Sequence, residues 1–383
     1  MKQILNKNIA VFSPFLNPVG VKRATFGLAK VFSQNDYNVN LLSVHKEWEG
    51  LKLEKNMKIT YLSTNFKRMP TKGFFIFRFV SLLIGIRTIF SLASYLKSNK
   101  TEILFASMMP SIAWLALKIS GKSKEINFVI SLQGFPRENI FRKMVWRKMF
   151  NDSKDVFAES EGLMKKVIKM TGVSKNVNFI YNPHFENQNE IQCKSEFINL
   201  DYKYILGLGR LTKQKNFSML IKAFSLLDHS NGLKLIIIGD GEQKSKLKNL
   251  VNRLKINSHV LFLGKIEDPF GYIEHAEILV IPSLWEGLPR VAIEAQALKT
   301  PIISSCEEGG LGEILMNGDA GIITRKNDVN EMKNSIEKYL QNPKIALFHS
   351  ELGLKNIARF SLETSAKKYL TKFSNYFEEN VPQ

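Results

Sequence analysis

The chain alternates short apolar runs with longer segments of helical periodicity, and this alternation limits its possible folds more than any other feature. In the first half, the runs that we predict as strands are Asn8–Ser13, Asn38–Val44, Lys58–Ser63, Glu102–Ser107, Asn127–Leu132, Asp155–Glu159 and Asn176–Tyr181. Helical patterns such as Ala24–Gln34 and Ser111–Ser120 fill most of the gaps. Because apolar strands separated by helices are typical of parallel sheets covered on both faces, we expect such a sheet here.

The second half repeats this arrangement. Its predicted strands are Tyr204–Gly209, Leu233–Gly239, Val260–Gly264, Ile278–Pro282 and Pro301–Ser305, and its predicted helices are Phe217–Leu227, Glu242–Leu254, Arg290–Leu298 and Asn330–Gln341. The polar, aperiodic segment Asn182–Asp201 is the predicted linker. We therefore predict an α/β fold of two Rossmann-like βαβ domains that face each other across a cleft, with ligands outside the carboxyl ends of the strands.

Length and composition agree with two cytoplasmic domains. The 383 residues, 44% of them hydrophobic, suffice for two cores. Cys193 and Cys306 belong to no partnered motif, which argues against a disulfide scaffold or a zinc cluster. No signal peptide is visible, and the apolar stretch Gly73–Leu96 is interrupted by Arg78 and Arg87. It therefore lacks the run of about 20 apolar residues that a membrane span needs.

The strongest local signal is the segment SLWEGLPRVAIE, which runs from Ser283 to Glu294 after a predicted strand. Pro289 suits the first position of a helix, because its fixed φ and missing N–H cost nothing there. Glu286 then lies in the loop before the helix, and Glu294 lies in its second turn. Both glutamates can face a ligand at the helix N-terminus, although each is equally compatible with a solvated loop or a charge that complements the helix dipole.

This segment resembles the E-G-L-P-x-x-x-x-E signature of the large retaining glycosyltransferase family 4, a family of glycosyl transferases group 1 with the GT-B fold. Further segments continue the resemblance over nearly the whole chain: Gly207–Asn216, Ile238–Glu242, Gly264–Asp268, Ala276–Ser283 and Pro301–Glu313. The resemblance implies an acceptor-side domain over residues 1–185 and a nucleotide-sugar-binding domain over residues 186–361. It also implies that a C-terminal helix, about residues 362–383, packs back on the first domain.

The family's catalytic groups correspond here to Arg210, Lys215 and Glu286. By resemblance, the two cations bind the donor diphosphate, whose negative charge grows as it leaves. Glu286 is expected to position the transferred sugar rather than to act as a nucleophile. No metal or other cofactor is expected, because no Asp-x-Asp pair stands at a strand end and cations already supply the charge. A nucleotide-diphosphate sugar is thus the expected co-substrate.

The remaining donor-binding residues implied by the resemblance are Gly20, Gly287, Leu288 and Glu294. Glu294 is similar to the family's ribose-binding glutamate. The backbone around Gly287 and Leu288 is expected to donate N–H groups to the sugar.

Two positions of the first domain depart from the family pattern. The loop Pro14–Ala24 resembles the family's glycine-rich first loop, but Val19 replaces its first glycine and leaves only Gly20. Gln133 stands where many members have a histidine. Glutamine can bond a sugar hydroxyl but cannot shuttle a proton at neutral pH, so we assign Gln133 to the acceptor side and expect the leaving phosphate to take the proton. His184, in the predicted linker, is expected to be structural.

A strong basic excess indicates an anionic partner. The 54 Lys and Arg outnumber the 35 Asp and Glu, for a formal charge of +19. Between Glu54 and Glu102 there are nine Lys or Arg and no acidic residue, interleaved with aromatics, and a second basic aromatic cluster spans residues 137–150. Such helices suit an anionic membrane surface. The alternative is that the apolar residues form core and the cations are a solvated face.

We therefore predict a retaining glycosyltransferase that moves a sugar from a nucleotide-diphosphate sugar, with a UDP-sugar expected. The expected acceptor is a hydroxyl of a lipid-linked saccharide in bacterial surface polysaccharide (capsule or O-antigen) synthesis. The expected location is cytoplasmic and peripheral, at the inner face of the cell membrane. The alternatives are a non-catalytic nucleotide-sugar-binding partner subunit, a sugar-nucleotide epimerase and a basic nucleic-acid-binding protein. The last has no recognition motif here, so no nucleic-acid partner is expected.

Overall fold

The computed structural model of the chain describes residues 7–14, 19–62, 74–134, 136, 139–186, 191, 200–305 and 309–378. For Val19, residues 74–81 and Glu378 it describes the backbone alone. Residues 7–159, 163–183 and 365–378 form one compact unit within these ranges. Residues 160–162 and 184–364 form the second unit.

The described strands and helices alternate along both halves. The strands are β1 (Lys7–Phe12), β2 (Tyr37–Ser43), β3 (Met57–Tyr61), β4 (Ile103–Ala106), β5 (Asn127–Leu132), β6 (Asp155–Ala158), β7 (Val177–Phe179), β8 (Tyr204–Leu208), β9 (Lys234–Ile238), β10 (Val260–Gly264), β11 (Ile278–Ile281), β12 (Ile302–Ser304) and β13 (Ile322–Ile323). The helices are α1 (Val19–Gln34), α2 (Phe74–Ser98), α3 (Pro110–Ser120), α4 (Ile140–Asn151), α5 (Glu161–Thr171), α6 (Phe217–Ser225), α7 (Lys244–Arg253), α8 (Phe270–Glu274), α9 (Arg290–Ala297), α10 (Gly310–Ile314), α11 (Val329–Gln341), α12 (Pro343–Lys355) and α13 (Leu362–Glu378).

Each half contains one parallel sheet with the strand order of a doubly wound fold. The first sheet runs β3-β2-β1-β4-β5-β6-β7, and the second runs β10-β9-β8-β11-β12-β13. Neighbouring strands are parallel throughout, as in the register Ile9 to Ile103 between β1 and β4. In both sheets the strand order reverses beside the first strand, at β1/β4 and at β8/β11. The predicted α/β fold with two Rossmann-like sheets is confirmed.

Helices cover both faces of the first sheet. Leu104 and Phe128 lie in one buried cluster with Leu117 of α3. The next residue along β4, Phe105, points to the opposite face. There its ring lies 5.5 Å from the ring of Tyr369 in α13. The last helix is therefore part of the first unit's core.

The strand predictions agree with the structure to within two residues, but the start of α1 was predicted wrongly. The helix begins at Val19 rather than Ala24, so Gly20 lies in its first turn and not in a loop. The loop was expected from the resemblance to the family's glycine-rich first loop, and Val and Gly are also poor helix formers. Packing of the buried side chains of Leu28 and Phe32 stabilises the helix as a whole and overrides that local preference. The predicted loop's residues 15–18 lie outside the described part of the chain.

The helix α2 covers most of the apolar stretch Gly73–Leu96. Among the described helices, none combines the length and apolar content that crossing a bilayer requires.

Candidate active site

The predicted donor residues follow the two strands at which the second sheet reverses its order. Arg210 and Lys215 follow β8, and Glu286 follows β11, its neighbour in the sheet. Parallel doubly wound sheets bind ligands at the carboxyl ends of such strands. The topology therefore brings together segments that are more than 70 residues apart in sequence.

Two glycine turns cross closely at this edge and fix the backbone beside Arg210. A Cβ on Gly239 would lie 1.9 Å from the carbonyl oxygen of Gly209, and one on Gly241 would lie 2.5 Å from that of Leu211. Both glycines have positive φ, at 142° and 157°. The N–H of Gly209 donates to the carbonyl of Ile238 at 3.0 Å. The loop is thus held by backbone contacts that only glycine permits, and the Arg210 side chain is exposed to solvent.

Lys215 and Glu286 form a largely buried ion pair. The Lys215 ammonium lies 2.6 Å from Glu286 Oε1, with side chains only 16% and 7% exposed. Beside this pair, Gln214 Nε2 donates to the carbonyl of Trp285 at 2.8 Å, and the N–H of Leu284 donates to the carbonyl of Gln214 at 2.9 Å. The two loops are therefore joined by three polar contacts, and two of the predicted catalytic groups contact each other.

The loop that carries Glu286 is also supported from α10. The N–H of Gly310 donates to the carbonyl of Gly287 at 2.6 Å. A Cβ on Gly310 would lie 2.5 Å from that same oxygen and 2.5 Å from Leu288 Cδ1. Gly310 thus positions the loop, a role that we did not predict. The paired glycines at 309–310 were its sequence signal, because adjacent glycines in a turn often mark a close backbone approach.

The helix α9 begins at Arg290, where its predicted range begins. Pro289 is its N-cap, with φ −71° and ψ 118°, rather than its first helical residue. Glu294 lies in the second turn, as predicted, and its carboxylate lies 3.5 Å from Arg290 Nε. Both side chains are mostly buried. The guanidinium of Arg290 therefore lies beside the predicted ribose-binding carboxylate.

His184 has a distinctive setting in the second unit. Both of its ring nitrogens are buried and lack a hydrogen-bond partner among the described residues. Burial, with a smaller contribution from the charge of Arg290, lowers the pKa of His184 to about 3. The imidazole is therefore neutral at physiological pH.

In the first unit, Gln133 lies just after β5 and is held by its neighbours. Its Nε2 donates to Ser131 Oγ at 2.9 Å and to Asn182 Oδ1 at 3.2 Å. Gly20 lies in the first turn of α1. The predicted residues thus fall into one group in the second unit and a separate polar network around Gln133 in the first.

The second unit matches a known family. The family model described as "Glycosyl transferases group 1" matches residues 188–351. An uncharacterized glycosyltransferase of Methanocaldococcus jannaschii, MJ1059, is 33% identical over 224 residues, which is 55% of each chain. The present chain therefore spans about half of the length of that relative.

A longer match is an enzyme of Campylobacter jejuni, named as an α-1,4-N-acetyl-D-galactosaminyltransferase acting on GalNAc-α-(1→4)-GalNAc-α-(1→3)-diNAcBac-PP-undecaprenol. It is 28% identical over 341 residues, covering 85% of this chain and 87% of the enzyme.

Solved structures match over almost the full length. A glycosyltransferase from Rickettsia africae superimposes with a TM-score of 0.80 at 17% identity, covering 98% of this chain and 100% of that one. The Anabaena protein HepE, solved with UDP, gives a TM-score of 0.72 at 16% identity, covering 96% and 100%. These likenesses establish the fold. The chain thus has the fold of the GT-B glycosyltransferases and carries a glycosyl transferases group 1 domain in its second unit.

Proposed function

We propose that the chain is a retaining transferase of family 4 that moves a sugar from a UDP-sugar to a hydroxyl of a lipid-linked saccharide during synthesis of a bacterial surface polysaccharide. The observation that carries this proposal is the buried pair of Lys215 and Glu286 beside Arg210, at the point where the second sheet reverses its order. HepE, which shares the fold, was solved with UDP, which supports the donor. The name of the Campylobacter relative supports a lipid-linked acceptor.

The charges of this site suit a departing nucleoside diphosphate. Arg210 is exposed, and Lys215 is held at the loop by Glu286, so both can contribute positive charge to the diphosphate. Such charge is worth most where water is excluded, and the Lys215 side chain is only 16% exposed. Since these cations neutralise the diphosphate, we expect transfer without a metal. Glu294 accepts the ribose hydroxyls, and Glu286 with the backbone of Gly287 and Leu288 orients the sugar.

The proposed chemistry retains the anomeric configuration. By resemblance to family 4, the acceptor hydroxyl attacks from the face that the diphosphate leaves, and a diphosphate oxygen takes the hydroxyl proton. The bond from the anomeric carbon to the diphosphate breaks while the bond to the acceptor oxygen forms. Gln133 orients the acceptor and does not need to take a proton.

The helix α4 supports a peripheral site at an anionic membrane. Its C-terminal half is anchored by the buried side chains of Met149 and Phe150, whereas Ile140, Phe141 and Met144 are exposed. These apolar side chains lie among four cations, Arg142, Lys143, Arg147 and Lys148. Apolar side chains beside cations on one helix suit insertion into an anionic interface.

Of the aromatics in the other basic stretch, between Glu54 and Glu102, the side chains of Phe74, Phe75, Phe77 and Phe79 lie outside the part of the chain that the structure describes.

The donor experiment is a thermal-shift screen of UDP, GDP, ADP and CDP sugars. A ligand that binds only the folded chain raises its Tm. We expect a shift with UDP-sugars that persists in EDTA, followed by release of UDP when a polyprenyl-diphosphate-linked saccharide is added. Binding without turnover would favour the non-catalytic partner subunit. No shift with any nucleotide would refute the proposed donor site.

The membrane experiment compares two matched double variants. Phe141→Ser with Met144→Ser removes two exposed apolar side chains from α4, and Leu347→Ser with Phe348→Ser removes two from α12 of the second unit. Burial of each large side chain is worth about 1.5–3 kcal/mol, so we expect the α4 variant to bind phosphatidylglycerol vesicles at least about tenfold more weakly. The α12 variant should bind like the unmodified chain. Equal binding by all three, or pelleting with DNA instead of vesicles, would refute the membrane site.

A further inference from the structure

Three polar side chains meet at the carboxyl ends of neighbouring strands in the first sheet. Gln133 follows β5, Glu159 follows β6 and Asn182 follows β7. Asn182 Nδ2 donates to Gln133 Oε1 and, at 3.2 Å, to Glu159 Oε2. Gln133 Nε2 donates back to Asn182 Oδ1 at 3.2 Å. The two amides therefore form a reciprocal pair, and Glu159 binds one end of it.

The remaining hydrogen-bonding capacity of Gln133 follows from this arrangement. A primary amide has two N–H donors and an oxygen that accepts two bonds. Both N–H groups of Gln133 are used, by Ser131 Oγ and by Asn182 Oδ1. Its oxygen accepts one bond, from Asn182. What Gln133 can still offer to a ligand is one acceptor position on Oε1.

Glu159 determines which way the amide pair is oriented. Its side chain is only 9% exposed, and a carboxylate can accept but not donate hydrogen bonds. It therefore requires the Nδ2 of Asn182, because the alternative orientation would turn Asn182 Oδ1 toward a carboxylate. Once Asn182 is fixed, the reciprocal pair fixes Gln133. Charge-assisted bonds are roughly twice as strong as neutral ones, so the constraint runs from Glu159 to Gln133.

We propose that Glu159 is a positioning residue that acts through Asn182 to hold Gln133 Oε1 ready to accept a hydrogen bond from a hydroxyl of the acceptor saccharide. This inference rests on the proposed function and specifies its acceptor side. The free acceptor position on Gln133 Oε1 favours a ligand group that donates a hydrogen bond, such as a sugar hydroxyl. It disfavours a ligand group that can only accept one.

The test uses the fact that a carboxylate has no N–H to donate. Glu159→Gln lets residue 159 donate a hydrogen bond to Asn182, so the amides of Asn182 and Gln133 can both flip. Gln133 then presents an N–H to the acceptor in place of its oxygen. In a chain that already carries Gln133→Leu, residue 133 has no hydrogen-bonding group to present, and Glu159→Gln should then have no effect on the acceptor. A purely structural role of Glu159 would give the same effect in both backgrounds.

The measurement is steady-state transfer from the UDP-sugar that binds best to a polyprenyl-diphosphate-linked N-acetylhexosamine. We expect Glu159→Gln to raise the acceptor KM about tenfold, the value of one hydrogen bond, with the donor KM unchanged. In the Gln133→Leu background the change should be less than about twofold. If this probe is not glycosylated, the same comparison is made on the kcat of donor hydrolysis by water.

Two further variants keep the test decisive. Glu125→Gln, at an exposed carboxylate of the same unit, controls for the loss of one charge and should behave like the unmodified chain. If Glu159→Gln does not fold, Asn182→Ala breaks the same link and should give the same acceptor-selective loss. An unaltered acceptor KM, or equal effects in both backgrounds, would overturn the inference. An unmodified chain that consumes no donor at all would refute the proposed function instead.

Discussion

Replacing Lys215 by methionine tests both the stability and the function of the candidate site. The substitution leaves Glu286 buried without the ammonium group that lies 2.6 Å from its carboxylate. At an effective dielectric constant near 20, the gross attraction over that distance is about 6 kcal/mol. Part of this is offset by the desolvation of the two charges, so we expect the free energy of unfolding of the second unit to fall by about 3 kcal/mol. For a unit of this size, that corresponds to a Tm lower by about 6–12 °C.

The matched control is Lys333→Met on α11. The ammonium of Lys333 also lies 2.6 Å from a carboxylate, that of Glu337, but these side chains are 27% and 31% exposed. An i,i+4 pair at the surface is worth less than about 1 kcal/mol. Hydrogen exchange in peptides of β8 and β11 would report the second unit separately from the first. Equal losses for the two lysines would show that burial does not determine the strength of the pair.

Substitutions of Lys215 and of Glu286 should affect nucleotide binding differently. Lys215→Met should weaken the binding of UDP by about 10–100-fold, since one charge-assisted bond to the diphosphate is lost. Glu286→Gln removes the carboxylate that competes for Lys215, so UDP should bind at least as tightly while sugar transfer falls. Isothermal titration with UDP measures both. If Glu286→Gln weakens UDP binding as much as Lys215→Met does, the assignment of Lys215 to the diphosphate and Glu286 to the sugar is wrong.

Three further predictions follow from the second unit. Glu294→Ala should raise the KM for the UDP-sugar by about 10–100-fold without unfolding the chain, because a charged acceptor for the ribose hydroxyls is lost, and unchanged donor kinetics would contradict that role. Gly310→Ala should lower kcat by about 100-fold by displacing the loop of Glu286, whereas Gly85→Ala, whose Cβ would lie 3.7 Å from its nearest neighbour, should be silent. The depressed pKa of His184 means that the unfolded chain binds a proton below about pH 6.5 and the folded chain does so only near pH 3. Stability should therefore fall on acidification across this window by at most about 1.4 kcal/mol per pH unit, and a pH titration of urea unfolding should show a shallower slope in His184→Leu.

The architecture could be predicted from the sequence because its signal is local. Apolar runs such as Ile278–Ile281 are buried along their whole length, as strands covered on both faces of a parallel sheet are. The strand β13, with two residues, is too short to show a period and was missed. The early start of α1 was missed for a different reason. The segment was interpreted as the glycine-rich loop that the family resemblance implies, whereas packing decides the helix in the folded chain.

For the candidate site, the sequence identified the residue types, and the tertiary structure determined which of them meet. The spacing of Glu286 and Glu294 and the cations of the β8 loop were visible in the chain, with their expected roles implied by the family resemblance. That Lys215 pairs with Glu286 depends on β8 and β11 being neighbours, which is a property of strand order and not of any local pattern. The network of Gln133, Asn182 and Glu159 was likewise not predictable, because hydrogen bonds between loops of neighbouring strands leave no periodicity in the sequence.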